Sequence, residues 1–86
     1  MQTLLQIPQQ AAAWLRERVT GHLQTDHRKL QAGDGFIAMS GLSVDARQFV
    51  PQALHDGASA CLVDAQDADP HILQDARVAS YPQLKD

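Results

Sequence analysis

The sequence predicts one small domain of the α/β class. Segments with the apolar spacing of helices alternate with short apolar runs of strand length, in the order helix, strand, strand, helix, strand, strand. With 86 residues, 44% of them apolar, the chain is long enough for one hydrophobic core but not for two domains. We therefore expect a two-layer or three-layer sandwich around a mixed, partly parallel sheet.

The first half of the chain predicts a helix and two strands. Residues 9–19 place apolar side chains along one helical face, with Pro8 before them and Gly21 after them. Residues 22–25 are typical of a brief strand that runs into a polar turn. The short apolar run 35–39 predicts a buried strand, because it is too short for a helix.

The second half predicts a helix that begins near Gln48 and ends at Gly57. Pro51 is tolerated in a helix only in the first turn, and Asp45 can cap an irregular turn before it. The segment 35–63 has the length of a strand–helix–strand crossover. The remaining predicted elements are a buried strand (58–63), a helical turn (71–74), a strand (77–81) and the opening of a helix (82–86).

Composition excludes several classes of protein. The net charge is −3 and the seven basic residues are scattered, whereas a nucleic-acid-binding protein normally carries clustered positive charge. No apolar run approaches the roughly 20 residues of a membrane-spanning helix, so we expect no membrane insertion. The single cysteine, Cys61, lies in an apolar run and predicts a buried strand residue rather than a nucleophile. Because no disulfide can form within the chain, we expect a cytoplasmic location.

The usual signatures of catalysis are missing from the sequence. It contains no phosphate loop of the G-x-x-x-x-G-K-[ST] type, and its four histidines and Cys61 lack the spacing of a zinc site. We predict no catalytic residue and no metal ligand. The polar loops 25–29 and 40–47 are the binding candidates, because ligands of α/β sheets lie outside the carboxyl ends of strands. From the pattern alone, Asp26, Arg28 and Asp34 could equally form turn hydrogen bonds and a surface ion pair.

A longer pattern over residues 25–64 resembles the N-terminal domain of the Mur ligases. The chain reads T-D-H-R-K-L-Q-A-G-D-G-F-I-A-M-S-G, then D-A-R-Q-F-V-P-Q-A and G-A-S-A. The family pattern is D-S-R-x-V/L-x-x-G-D-L-F-V-A-x-x-G, then D-G, F-I-x-x-A and G-A-x-A. The matching fragments follow one another in the same order and spacing over about half of the chain.

The resemblance implies a role in peptidoglycan synthesis, and so in cell-wall biogenesis, cell shape and cell division. Mur ligases are ATP-dependent ligases that add amino acids to a UDP-N-acetylmuramoyl peptide. Residues 1–86 would form the single domain that recognises the UDP part of UDP-N-acetylmuramoyl-L-alanyl-D-glutamate, and would be inactive alone. ATP and Mg would bind to a central domain, this domain's partner, whose G-T-N-G-K-T loop we expect just past Asp86. A third domain would help to bind the amino acid.

The resemblance also implies which residues hold the UDP part. The expected uridine contacts come from the residues on either side of Asp26 and from the loop after Gly41, with Asp26 and Arg28 in support. They are Thr25, His27, Leu42, Ser43 and Val44. The hydroxyls among them can exchange hydrogen bonds with a nucleotide, and the apolar side chains can flank a flat base.

Four positions depart from the family pattern. His27 replaces a serine, Gly35 replaces a leucine, Leu42 stands where a polar residue is common, and Ala46 replaces a glycine. Residues 77–84 and the altered D-G pair favour the ligase type that adds the third residue, diaminopimelate or lysine. The alternatives are the type that adds D-alanyl-D-alanine and a stand-alone, non-catalytic α/β interaction module.

Overall fold

A computed structural model describes residues 3–41, 44–82 and 84 of the chain. These residues form an α/β domain, which confirms the predicted class. Two 3-10 helices, at His27–Lys29 and Ala46–Phe49, lie in the connections. The helices and strands are β1 (Thr3–Leu4), α1 (Pro8–Arg18), β2 (Leu23–Gln24), β3 (Gly35–Ala38), α2 (Val50–His55), β4 (Ala60–Asp64), α3 (Pro70–Leu73) and β5 (Val78–Tyr81).

The five strands form one sheet in the order β1-β5-β4-β3-β2, and every pair is parallel. The prediction of a mixed sheet is therefore wrong. Strands β2 and β3 do not form a hairpin. Residues 25–34 pass through a 3-10 helix and return the chain to the end of the sheet at which β2 begins, so that β3 runs parallel to β2. Strand β1 escaped prediction because two residues show no periodicity.

Helix α1 covers one face of the sheet. Pro8 occupies its first turn, where a missing N–H costs no hydrogen bond, and the Gln10 side chain accepts a hydrogen bond from the Gln6 N–H at 2.8 Å. The helical spacing places Trp14 and Leu15 on one stripe. The buried residues of this layer are Ala11, Trp14, Leu15, Ala60, Leu62 and Ala79.

Helices α2 and α3 cover the opposite face, so the domain has three layers. Pro51 lies in the first turn of α2, as the sequence requires, but the helix begins at Val50 because a 3-10 helix capped by Asp45 precedes it. Side chains alternate between the two faces of a strand, so β3 and β4 supply residues to both layers. The buried residues of this second layer are Phe36, Ala38, Val50, Ala53, Ala58, Cys61, Val63, Leu73 and Val78.

Because the sheet is parallel, the loops after all five strands meet at one end of the domain. In the part of the chain that the structure describes, no helix is long and apolar enough to cross a bilayer. Of the predicted helix opening at 82–86, the residues Gln83, Lys85 and Asp86 lie outside the described residues.

Candidate functional site

A cavity of about 480 Å³ lies between the loop that follows β2 and the loop that follows β3. The structure brings Thr25, His27 and Val44, three of the predicted uridine contacts, to its wall together with the supporting residues. The predicted contacts Leu42 and Ser43 lie outside the described residues. The lining consists of Thr25, Asp26, His27, Arg28, Ile37, Met39, Gly41, Val44, Ala46 and Phe49.

The loop after β2 begins with a tight turn built by Asp26 and Arg28. The Asp26 carboxylate accepts a hydrogen bond from the Arg28 N–H at 3.0 Å and caps the 3-10 helix. The Arg28 guanidinium donates to both carboxylate oxygens, at 3.0 and 2.9 Å. These bonds hold the pKa of the Asp26 carboxyl well below its usual range. The Arg28 side chain is still 78% exposed, so it keeps a donor for a ligand at the mouth of the cavity.

The His27 ring is packed against two aromatic rings of the site. It stacks on the Phe49 ring with centroids 4.0 Å apart and planes at 14°. Its edge faces Phe36 at 6.5 Å and 75°. The stack joins the loop after β2 to the 3-10 helix after β3, and it fixes the plane of the imidazole.

The loop after β3 is closed by backbone bonds on both sides. Ser40 and Asp45 form an antiparallel bridge, and the Gly41 N–H donates to the Val44 carbonyl at 3.0 Å. A Cβ on Gly41 would lie 2.4 Å from the Val44 oxygen, so this closure requires glycine. Alanine in place of the family glycine at position 46 causes no backbone strain, because Ala46 begins a 3-10 helix and has ordinary backbone angles.

Asp45 and Arg47 repeat the geometry of the first turn, and Arg47 was not among the predicted contact residues. The Asp45 carboxylate accepts from the Arg47 N–H at 3.0 Å and from two guanidinium nitrogens at 2.9 and 2.8 Å, which lowers the Asp45 pKa. The Arg47 side chain is only 12% exposed. Its Nη1 also donates to the carbonyl of Asp64, at 3.0 Å, and to that of Gln66. The Asp-x-Arg spacing, which also occurs at Asp75, was the available signal in the sequence.

Asp64 ends β4 beside this loop and was also missed. It is 3% exposed, and its carboxylate accepts hydrogen bonds from the Ser40 N–H and hydroxyl, both at 2.7 Å. The other carboxylate oxygen accepts from the Leu84 N–H. The signal in the sequence was an aspartate directly after the apolar run 60–63. The hydroxyl of Ser40 is thus engaged by Asp64.

A larger cavity, about 600 Å³, lies elsewhere, on the α1 side of the sheet. Apart from Arg16 and Tyr81 its lining is apolar, so it offers few groups to recognise a nucleotide. Among residues 3–41, 44–82 and 84, no three His, Cys, Asp or Glu side chains are grouped to hold a metal ion. Cys61 is fully buried, as predicted, and burial raises its pKa to about 12.

Comparisons with known proteins identify relatives of this chain. No protein-family model matches it. It is 48% identical over 77 residues to the UDP-N-acetylmuramoyl-L-alanyl-D-glutamate–2,6-diaminopimelate ligase of Acidovorax sp. (strain JS42). This match covers 90% of the chain and 15% of the ligase. It is 48% identical over 63 residues to the ligase of the same name from Coxiella burnetii, covering 73% of the chain and 13% of the ligase.

A third relative is the ligase of the same name from Haemophilus influenzae (strain 86-028NP), 40% identical over 63 residues. That match covers 69% of the chain and 13% of the ligase. The chain thus spans a small fraction of the length of each curated relative. With this identity over most of its residues, the chain belongs to the Mur ligase family and corresponds to a segment of its 2,6-diaminopimelate ligases.

Proposed function

We propose that this chain is the N-terminal domain that recognises the UDP part of UDP-N-acetylmuramoyl-L-alanyl-D-glutamate, within an ATP-dependent ligase of peptidoglycan synthesis. The main support for this proposal is the cavity, which is lined by Thr25 and His27 from the loop after β2 and by Val44 from the loop after β3. Its size, about 480 Å³, falls in the usual range of small-molecule sites. The names of the relatives favour 2,6-diaminopimelate over lysine or D-alanyl-D-alanine as the added group.

The lining of the cavity suits a flat, polar base. Ile37, Met39 and Val44 supply apolar walls, and the His27 imidazole offers a ring held in place by Phe49. The exposed Thr25 hydroxyl can donate and accept hydrogen bonds at the polar edge of a base. His27 thus takes the place of the family serine with a larger group that also belongs to the wall.

The charge at the mouth of the cavity suits a diphosphate. Two nitrogens of the Arg28 guanidinium are bound to Asp26, which fixes the orientation of the group, and the side chain is otherwise exposed. A guanidinium held in this way loses little side-chain entropy when it meets an anion. We assign Arg28 to the phosphate side of the ligand and Thr25 to the base side.

The other parts of the reaction belong to the rest of the full-length ligase in this proposal. The 86 residues contain no phosphate-loop motif and do not fit ATP and Mg, so we assign both to a central domain that is this domain's partner. The chain alone would then have no ligase activity. The proposal places the protein in the cytoplasm, with the other Mur ligases.

Isothermal titration calorimetry of the gene product that carries this chain tests the proposal. We expect binding of UDP and of UDP-N-acetylmuramoyl-L-alanyl-D-glutamate. Thr25→Val keeps the shape of the side chain and removes its hydroxyl. It should lower the affinity for both ligands about tenfold, because one hydrogen bond is lost. Thr20→Val is the matched control, because Thr20 is also exposed but lies beyond the opposite end of β2.

Two results would contradict the proposal. A folded wild-type protein that gives no binding heat with either ligand would exclude UDP recognition and favour a non-catalytic interaction module. Equal affinities of Thr25→Val and Thr20→Val for UDP would place the nucleotide outside this cavity. Ser43→Ala, in the part of the loop that the structure does not describe, tests the remaining predicted hydroxyl in the same way.

A further inference from the structure

The larger cavity, on the side of the sheet that α1 covers, is a mostly apolar groove, and we name it the α1 groove. Its volume is about 600 Å³, and it shares no lining residue with the cavity assigned to UDP. Arg16 is the one charged residue in its described lining, which also includes Ala12, Val19, Leu23, Tyr81 and Leu84. Exposed apolar surface of this extent is typical of a surface that another element covers.

The α1 groove exists because α1 covers only part of its side of the sheet. The buried side chains of α1 form one core cluster with residues of β4 and β5. Toward the opposite edge, Val19 and Leu23 close over Gly35, where a Cβ would lie 2.7 and 2.8 Å from their side chains. Leu23 itself is still 55% exposed, so the described residues leave this edge of the face open. A parallel sheet is normally covered on both faces, and here one face lacks part of its cover.

The segment after β5 contributes to the wall of the groove. Tyr81 ends β5 and Leu84 follows it, and both are half-buried against the core cluster of α1. The Ala65 N–H donates to the Tyr81 carbonyl at 2.8 Å, and the Asp64 carboxylate accepts from the Leu84 N–H. These bonds hold the segment at the end of β4. Residues that follow it in a longer gene product are therefore tethered beside the groove.

The length of the relatives indicates what covers the groove. The 77 residues matched in the Acidovorax ligase are only 15% of that protein. A segment tethered by a short linker has an effective concentration in roughly the millimolar range, which a separate protein has to match from solution. The sequence at 82–86 predicts the opening of a helix, and an apolar groove beside a helix suits the apolar face of another. A tethered helix is thus a better occupant than a second copy of the chain.

We propose that the α1 groove is covered, in the gene product, by the segment that directly follows residue 86. This segment continues the helix that opens at 82–86 and places its apolar face between α1 and β2. It completes the layer that α1 begins and fixes this domain to the rest of the ligase. The inference rests on the proposed function only for the longer ligase, and UDP has no part in it.

The rate of cysteine alkylation in the gene product measures whether the groove is covered. Leu23→Cys and Leu4→Cys place thiols on the two edge strands at positions of nearly equal exposure, 55% and 56%, but only Leu23 lines the groove. We expect N-ethylmaleimide to modify Leu23→Cys about tenfold more slowly than Leu4→Cys, because the reagent has to reach the thiolate. Mass spectrometry of the modified peptides gives the rate at each position.

A second pair tests the other wall with a smaller change. Ala12 and Ala13 are neighbouring exposed residues of α1, and only Ala12 lines the groove. Ala12→Cys should again react about tenfold more slowly than Ala13→Cys. A segment that fills the groove contacts both walls, so equal rates within either pair would overturn the inference. The alanine pair decides the matter if Leu23→Cys does not fold.

Photocrosslinking identifies the segment that covers the groove. Benzophenone maleimide attached to Arg16→Cys, at an exposed position of the lining, should crosslink to the same chain within about 20 residues after Asp86, the length of an ordinary helix. A mixture of isotope-labelled and unlabelled protein distinguishes crosslinks within one chain from those between two copies. Crosslinks between copies, crosslinks only to other parts of the chain, or protection that is lost on dilution would overturn the inference.

The outcomes separate this inference from the proposed function. An open groove in a gene product that binds UDP would overturn the inference and leave the UDP site standing. A covered groove in a folded gene product that does not bind UDP would overturn UDP recognition and leave the inference standing. A gene that ends at residue 86 would overturn both.

Discussion

Two turns of the same design have different surroundings in this domain. Asp26 and Arg28 after β2, and Asp45 and Arg47 after β3, form the same backbone cap and the same two-pronged ion pair. The Arg28 side chain is 78% exposed, whereas that of Arg47 is 12% exposed and also donates to the carbonyls of Asp64, at the end of β4, and Gln66. The local motif determines the turn, and the neighbouring strand determines what the arginine does.

This difference assigns separate roles to two identical residue patterns. The Arg47 guanidinium forms its observed hydrogen bonds within the domain, and these bonds hold the loop that supplies Val44 to the cavity wall. Among the described residues the Arg28 guanidinium bonds only to Asp26, and its side chain is mostly exposed, so it is more available to a ligand than Arg47 is. Substitutions at matched positions can measure how far the two roles differ.

The largest expected effect is that of Arg47→Met on stability. The substitution keeps most of the apolar stem but leaves the carbonyls of Asp64 and Gln66 without their charged donor. We expect the free energy of unfolding, measured by urea denaturation, to fall by about 2–3 kcal/mol. Arg28→Met is the control and should leave stability near that of the wild type, since exposed ion pairs contribute little. Equal losses in the two variants would refute the distinction between the turns.

The contact between the two loops should have a smaller effect. The His27 ring stacks on Phe49 at 4.0 Å and joins the segments that carry the two turns. A double-mutant cycle with His27→Ala and Phe49→Leu should give a coupling energy of about 1 kcal/mol in urea denaturation. Strictly additive losses would mean that the two loops hold their positions independently.

Acid should weaken the second turn by a smaller amount. Hydrogen bonds from Arg47 lower the pKa of Asp45 in the folded state. The ionised Asp45 therefore contributes fully to the free energy of unfolding above the unfolded pKa of about 4. This contribution is lost as the pH falls from there through the folded value, because the unfolded chain takes up the proton first. The fall in unfolding free energy between about pH 6 and pH 3 should be shallower in Asp45→Asn. A fall of the same size in this variant would assign the acid sensitivity to other carboxylates.

The smallest expected change in stability accompanies a change in binding. Arg28→Met should leave the free energy of unfolding in urea unaltered, but should lower the affinity for UDP about tenfold, because it removes a charged contact to phosphate. Its affinity for uridine, which has no phosphate, should match that of the wild type. Equal losses for UDP and uridine would place Arg28 at the base and not at the diphosphate.

The sequence predicted most helices and strands of this fold, because the helices have apolar residues at helical spacing and the buried strands are short apolar runs. The helix predicted at 9–19 is observed at Pro8–Arg18, and the strand predicted at 35–39 at Gly35–Ala38. Strand direction was not predictable in the same way. It depends on how residues 25–34 turn the chain, which is a property of the 3-10 helix and of pairing with β3 rather than of apolar spacing.

For the site, Thr25, His27 and Val44, which the family pattern predicts as uridine contacts, line one cavity, and their contact with uridine stays a prediction. It could not show that His27 stacks on Phe49, because that contact joins segments separated by a whole strand. The roles of Arg47 and Asp64 were hidden for the same reason, since their partners come from the ends of other strands.

The depth of Cys61 has a practical consequence for spectroscopy. Alkylating reagents react with a thiolate, and a fully buried thiol whose pKa is about 12 supplies almost none at neutral pH. A cysteine introduced at an exposed position such as His55 would then be the single reactive thiol within these 86 residues. A fluorophore or spin label can therefore be attached at a chosen site while Cys61 stays in the core.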